Sequence, residues 1–205
     1  MDLKFGFFLY VVIVLSAVFH EYAHALVAYR LGDSTAKDAG RLTLNPLVHL
    51  DPFGTVIVPL LLMLTSGIFI GWAKPVPYNP NALSDRKYGS LKVGAAGPIS
   101  NLIIAVLLGL IIRFIPSGAG FIPPVFIGLL GIVVYINIFL AIFNLLPFPP
   151  LDGSKIFADL FPQASRSFAQ FGFLGVFLAL IIAFWFLSPV AGFIFRIIVG
   201  GQVGL

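Results

Sequence analysis

The chain has 205 residues, 60% of them hydrophobic and only 10% charged, with 12 Lys+Arg against 8 Asp+Glu for a net charge of +4. A soluble domain carries about 25% charged residues, so the composition excludes a soluble globule, a disordered chain and a nucleic-acid-binding surface. A small basic excess on so few charges suits membrane-flanking loops, and the absence of cysteine rules out disulfides, thiol nucleophiles and Cys-ligated metals.

A membrane-spanning helix needs about 20 mostly apolar residues, because every backbone polar group must pair internally across the hydrocarbon. Five segments meet that need, and the expected fold is an all-α polytopic membrane protein forming a single membrane-embedded domain over residues 1–205. The first helix is expected over 5–31, where His20, Glu21 and His24 are the only ionisable groups between Phe5 and Tyr29, tyrosines aside. Asp2 and Lys4 ahead of an apolar run look like the start of a secretory signal. A signal's apolar core is only about 7–15 residues long, whereas this run continues through a charged triplet, so no cleavage is expected.

The stretch Gly32–Pro52 is polar and turn-rich, and the alternation in Arg41-Leu42-Thr43-Leu44 hints at a short strand. A second helix is expected over 54–73 and a third over 92–115, separated by the proline- and charge-rich segment Lys74–Lys92. A fourth is placed at 124–146, starting at a proline, which the first helical position tolerates. A loop and short helix follow over 147–162, then a fifth spanning helix over 167–187, ended by Ser188-Pro189. Seven basic residues on one side of these crossings against five on the other are too small a bias to set an orientation.

Ionisable groups inside a spanning helix cost about 2.5–3.5 kcal/mol each on insertion scales, yet the first helix carries three within five residues. His20 and His24 lie one turn apart on the same face, with Glu21 on its flank. This H-E-x-x-H spacing lets two imidazoles hold one zinc ion while the neighbouring Glu takes a proton from water at the metal. A catalytic zinc needs a third protein ligand. His49 and Asp51 lie about 25 residues downstream. Asp152 follows the fourth helix, although an Asp-Gly pair after prolines equally suits a turn or a helix N-cap. Spacing does not choose between them. The same polar groups would also suit a non-enzymatic zinc or proton transporter, since ionisable residues in a bundle mark ion routes.

Three blocks carry a resemblance to a known family: His20-Glu21-Tyr22-Ala23-His24, Gly97-Pro98-Ile99-Ser100-Asn101, and Asn144-Leu-Leu-Pro147-Phe-Pro-Pro150-Leu151-Asp152-Gly153. The chain resembles the site-2 protease family of intramembrane zinc metalloproteases, specifically its small prokaryotic members. The third block fits the family pattern N-x-x-P-x-x-P-L-D-G over its full length. The stretches Leu44–Gly54 and Gly71-Trp-Ala-Lys-Pro-Val-Pro77 also look familial.

The resemblance implies that His20, His24 and Asp152 bind Zn2+, that Glu21 is the general base, and that Asn144 helps bind the scissile carbonyl. It implies a re-entrant loop-and-strand element at about 42–51 that guides an extended substrate, with His49 in a supporting role, and polar support or substrate contact from Asn101. The implied substrate is a single-span membrane protein, cleaved within or near its transmembrane segment in a prokaryotic cell membrane. The chain departs from the family in having Ser154 where a second Gly often follows L-D-G, and in showing no PDZ or CBS segment. Selection of substrate would then rest with the membrane domain, a regulatory partner or a second copy of the chain.

Overall fold

The computed structural model describes residues 3–66, 71, 74–115, 122–170, 172 and 174–200. The chain divides into two compact units, Met1–Gly89 and Ser90–Leu205.

The first unit opens with α1, Leu3–Arg30, close to the expected 5–31. It turns at Gly32, whose φ of 100° favours glycine, into the single turn α2, Thr35–Asp38, which buries Ala36. The expected strand at Arg41–Leu44 is not formed, and the described residues contain no strand. Instead the Asn45 side chain caps a one-turn helix, α3, Pro46–His49, by accepting the Leu47 N–H. Asn-Pro is a helix start, with a cap followed by a residue that needs no N–H partner, and it outweighs an alternation only four residues long. Asp51 then caps a π-helical stretch, Pro52–Ile57, by accepting from Phe53 and Gly54, and the stretch runs into α4, Val58–Ser66. The second expected crossing, 54–73, is helical from Gly54 to Ser66; residues 67–70, 72 and 73 lie outside the described residues, and with them Trp72 and Ala73 of the 71–77 block.

The second unit is built on α5, Gly89–Phe114, and α6, Pro124–Asn144, within three residues of the expected bounds. After α6 come two short amphipathic helices, α7, Asp152–Leu160, and α8, Pro162–Ala169, then α9, Leu174–Ile182, a π-helical stretch, Ala183–Leu187, and α10, Ser188–Val199. Thus the last long helix starts later than the expected 167, because Pro162–Ala169 forms a separate helix, and it does not stop at Ser188-Pro189. Pro189 lacks an N–H and crowds the preceding turn. The wider π turn immediately before it re-registers the carbonyls that Pro189 leaves unserved, so the helix continues to Val199.

The buried centre of this unit joins Ala105 and Ile112 of α5, Val134 and Ile138 of α6, and Ala191, Phe195 and Val199 of α10. Among the described residues, four helices are long and apolar enough to cross a bilayer: Lys4–Arg30, Gly89–Phe114, Pro124–Asn144 and Leu174–Val199. Their outward faces are apolar, with Phe184, Trp185, Phe186 and Phe193 all exposed, as a lipid-facing surface requires.

Candidate active site

Within the first unit, α1 places His20 and His24 on successive turns with their ring centroids 4.6 Å apart and nearly perpendicular, at 83°. Both are buried, with relative exposures of 6% and 5%. Rings this close can each offer a nitrogen to one ion at the zinc–nitrogen distance of about 2.0–2.1 Å.

Glu21, on the flank of that face, is half-buried, and its Oε2 accepts the backbone N–H of Val76 at 2.8 Å. Val76 lies between two prolines in a non-helical stretch that is tied down at both ends. The Lys74 N–H donates to the His49 carbonyl at 3.0 Å, and the Asn79 N–H donates to Asp33 Oδ2 at 2.6 Å.

Asp33 is itself buried, and its other oxygen accepts the backbone N–H and hydroxyl of Thr35. Burial works against its ionisation. The hydrogen bonds from the Thr35 hydroxyl, the Asn79 N–H and the Thr35 N–H outweigh that effect and hold the carboxyl below its usual range.

His49, the last residue of α3, is fully buried. Its Nε2 meets the Thr43 carbonyl at 2.8 Å, which makes Nε2 the protonated nitrogen, while Nδ1 has no protein partner. The Arg41 guanidinium donates to the Val48 carbonyl beside it. Asp51, the other downstream carboxylate, is used as the cap of the π-helical stretch.

In the second unit, Asp152 is the first residue of α7 and is 6% exposed. A carboxylate here is favoured by the positive end of the helix dipole, and Lys155 Nζ pairs with its Oδ1 at 2.8 Å. Three close approaches fix its place. A Cβ on Gly153 would run into the backbone of Leu145 and Leu146, so only glycine lets the 145–146 turn press against the start of α7. Gly94 of α5 lies where a Cβ would stand 3.1 Å from the Asp152 carbonyl and from Lys155 Cβ. Two turns further along α7, Asp159 Oδ2 accepts the Leu91 N–H at 2.7 Å, satisfying a first-turn donor of α5.

Asn144, at the end of α6, donates its amide to the Leu140 carbonyl one turn back. Asn101 of α5 is fully buried and donates to Asn137 Oδ1 of α6 at 2.8 Å, while Asn137 donates to the Val133 carbonyl. The expected site residues therefore fall into a His20–Glu21–His24 group with His49 in the first unit, and Asn101, Asn144 and Asp152 in the second. Two buried imidazoles and a buried carboxylate are the nitrogen and oxygen donors that zinc takes.

Sequence similarity then assigns the family. A model of peptidase family M50 matches residues 121–188, a stretch that includes the Asn144–Gly153 block. A Bacillus subtilis (strain 168) protein named "Putative zinc metalloprotease YwhC" is 39% identical over 195 residues, covering 91% of this chain and 83% of its own. The chain belongs to peptidase family M50. This M50 protein is a zinc metalloprotease of the site-2 protease family and a multi-pass integral membrane protein. It is also 32% identical over 204 residues to "Putative zinc metalloprotease Rip2" of Mycolicibacterium smegmatis, covering 93% of this chain and 76% of that one. It is 26% identical over 150 residues to "Zinc metalloprotease MJ0392" of Methanocaldococcus jannaschii, covering 72% of this chain and 32% of that one. No solved structure matches it.

Sequence reasoning missed two features of the candidate site: the Val76 N–H on Glu21 and the Asp33 anchor of the same stretch. A backbone donor leaves no residue type to read. The Pro75-Val76-Pro77 spacing was the one available signal.

Proposed function

We propose that this chain, as a single membrane-embedded domain, hydrolyses a peptide bond within or near the transmembrane segment of a single-span membrane protein. His20, His24 and Asp152 hold the zinc, and Glu21 is the general base. The observation that carries the reading is the pair of buried imidazoles 4.6 Å apart on a membrane-crossing helix with a carboxylate on their flank. Burying such groups in a spanning helix costs several kcal/mol, a cost that a catalytic centre explains and a packing role does not.

When bound, zinc supplies Lewis acidity, lowering the pKa of water towards about 7 and polarising a carbonyl. The Glu21 carboxylate accepts the proton of the attacking water and returns it to the leaving nitrogen. Asn144 donates from its side-chain amide to the oxygen on which charge develops, a role an amide can fill. Asn101, through Asn137, ties α5 to α6 and so steadies the helix that ends in Asn144. A helical peptide bond is wrapped by its own turn, so the substrate must unwind locally before any of these groups can reach it. His49, beside the non-helical stretch at Lys74, supports the loops that would receive the unwound segment.

The test is cleavage of a panel of single-span reporters by the purified chain in detergent or vesicles, with a chelator arm and metal analysis. Cleavage that needs zinc and is abolished in Glu21→Gln, with zinc retained, is the expected result. Zinc or proton flux in vesicles without any peptidase activity would replace this reading with that of a transporter.

A further inference from the structure

Between Lys74 and Tyr78 the backbone offers one N–H, that of Val76, because Pro75 and Pro77 have none. That single donor is bonded to Glu21 Oε2. The prolines fix their own φ, and each disfavours the helical region for the residue before it, so Lys74 and Val76 are biased to extended backbone and the stretch forms no helix. Both ends are fastened: Lys74 to the His49 carbonyl, and Asn79 to Asp33, a buried carboxylate whose second oxygen grips the start of α2. A stiff strip pinned at both ends, with one donor at its centre, has little freedom to present that donor anywhere else.

We infer that the 74–79 strip is a positioning device for the base: the Val76 N–H, held by Pro75, Pro77 and Asp33, fixes the Glu21 carboxylate in the rotamer from which it reaches water. This inference rests on the reading of Glu21 as general base. A flexible Glu side chain on a helix flank samples several rotamers, and general-base catalysis demands hydrogen-bond reach to the proton it takes. The strip removes that freedom before substrate arrives. Val76 itself touches no substrate; it acts only through Glu21.

The experiment measures kcat, KM and zinc content of Val76→Pro, which deletes the donor from a stretch already biased to extended backbone, alongside Glu21→Gln. The expected result is a fall in kcat of about ten- to hundredfold, the scale of a misplaced catalytic group, with KM and zinc content unchanged. Wild-type kcat, a loss carried by KM, or parallel loss of zinc overturns the inference. Should Val76→Pro fail to fold, the Pro75→Ala/Pro77→Ala double variant keeps the Val76 donor and loosens only the strip. A several-fold loss in kcat alone is expected there, and unchanged kcat overturns the inference. Glu21→Gln separates the two levels of the argument. If it cleaves at the wild-type rate, the base assignment itself fails; if it is inactive while the strip variants keep full kcat, only the positioning role fails.

Discussion

Val76 donates its backbone N–H to Glu21 Oε2 across 2.8 Å, linking two residues 55 positions apart. The bond ties the H-E-x-x-H helix to a loop that no motif of catalytic residues marks. It also organises the first unit: the same loop reaches Asp33 at the far side of the α1 turn, and two residues beyond a short 3-10 helical turn, Pro80–Ala82, the Ser84 N–H donates to the Leu31 carbonyl at 2.7 Å.

Removing the Asp33 carboxylate should destabilise the fold in a pH-dependent way. Its folded pKa lies below the ordinary value of 3.8, so its contribution is fully present above that value and is lost as pH falls through the folded pKa. Asp33→Ala takes the charged acceptor from the part-buried hydrogen bonds of Asn79 and Thr35, and a loss of about 1–3 kcal/mol is expected at neutral pH. Thermal unfolding in detergent, followed from pH 7 down to about pH 3, should show the gap between variant and wild type narrowing below about pH 4. A gap that is constant with pH would mean that the charge is not what stabilises this turn.

Gly153→Ala is expected to damage metal binding without touching a ligand. The new methyl group collides with the backbone of Leu145 and Leu146, and backbone is the neighbour least able to yield. Overpacking of this kind costs about 1–3 kcal/mol, and relief requires moving the start of α7, which carries Asp152. Lower zinc content together with a lower unfolding temperature is the expected outcome. Full zinc occupancy in a folded variant would show that the position of α7 does not govern the ligand.

The buried Asn101–Asn137 bond should couple α5 to α6. Interhelical side-chain bonds of this kind are worth about 0.6–2 kcal/mol. A double-mutant cycle with Asn101→Leu and Asn137→Leu should therefore give a coupling energy in that range. Strict additivity of the two single effects would contradict an energetic role for the pair.

Much of the architecture could be read from sequence because apolar length is a one-dimensional signal. Three of the four spanning helices lie within a few residues of expectation, and His20, Glu21 and His24 stand out because a spanning helix has so little reason to hold them. The exceptions share a physical cause. Pro189 reads as a stop, but the π stretch before it absorbs the missing donor, and that adjustment leaves no mark in composition. The Arg41–Leu44 alternation suggests a strand, but a strand needs a partner edge, and Asn45-Pro46 starts a helix instead. Asp33 reads as a loop residue in Gly-Asp-Ser-Thr, and its role as anchor depends on a donor 46 positions away.

Metal stoichiometry in the Asp152→Ala variant tests the central claim most directly. Purified wild-type chain and Glu21→Gln should each carry close to one zinc per chain, whereas His20→Ala, His24→Ala and Asp152→Ala should each lose most of it while His49→Ala retains it. Undiminished zinc in a folded Asp152→Ala variant, with loss in His49→Ala instead, would contradict the assignment of the third ligand and the account built on it.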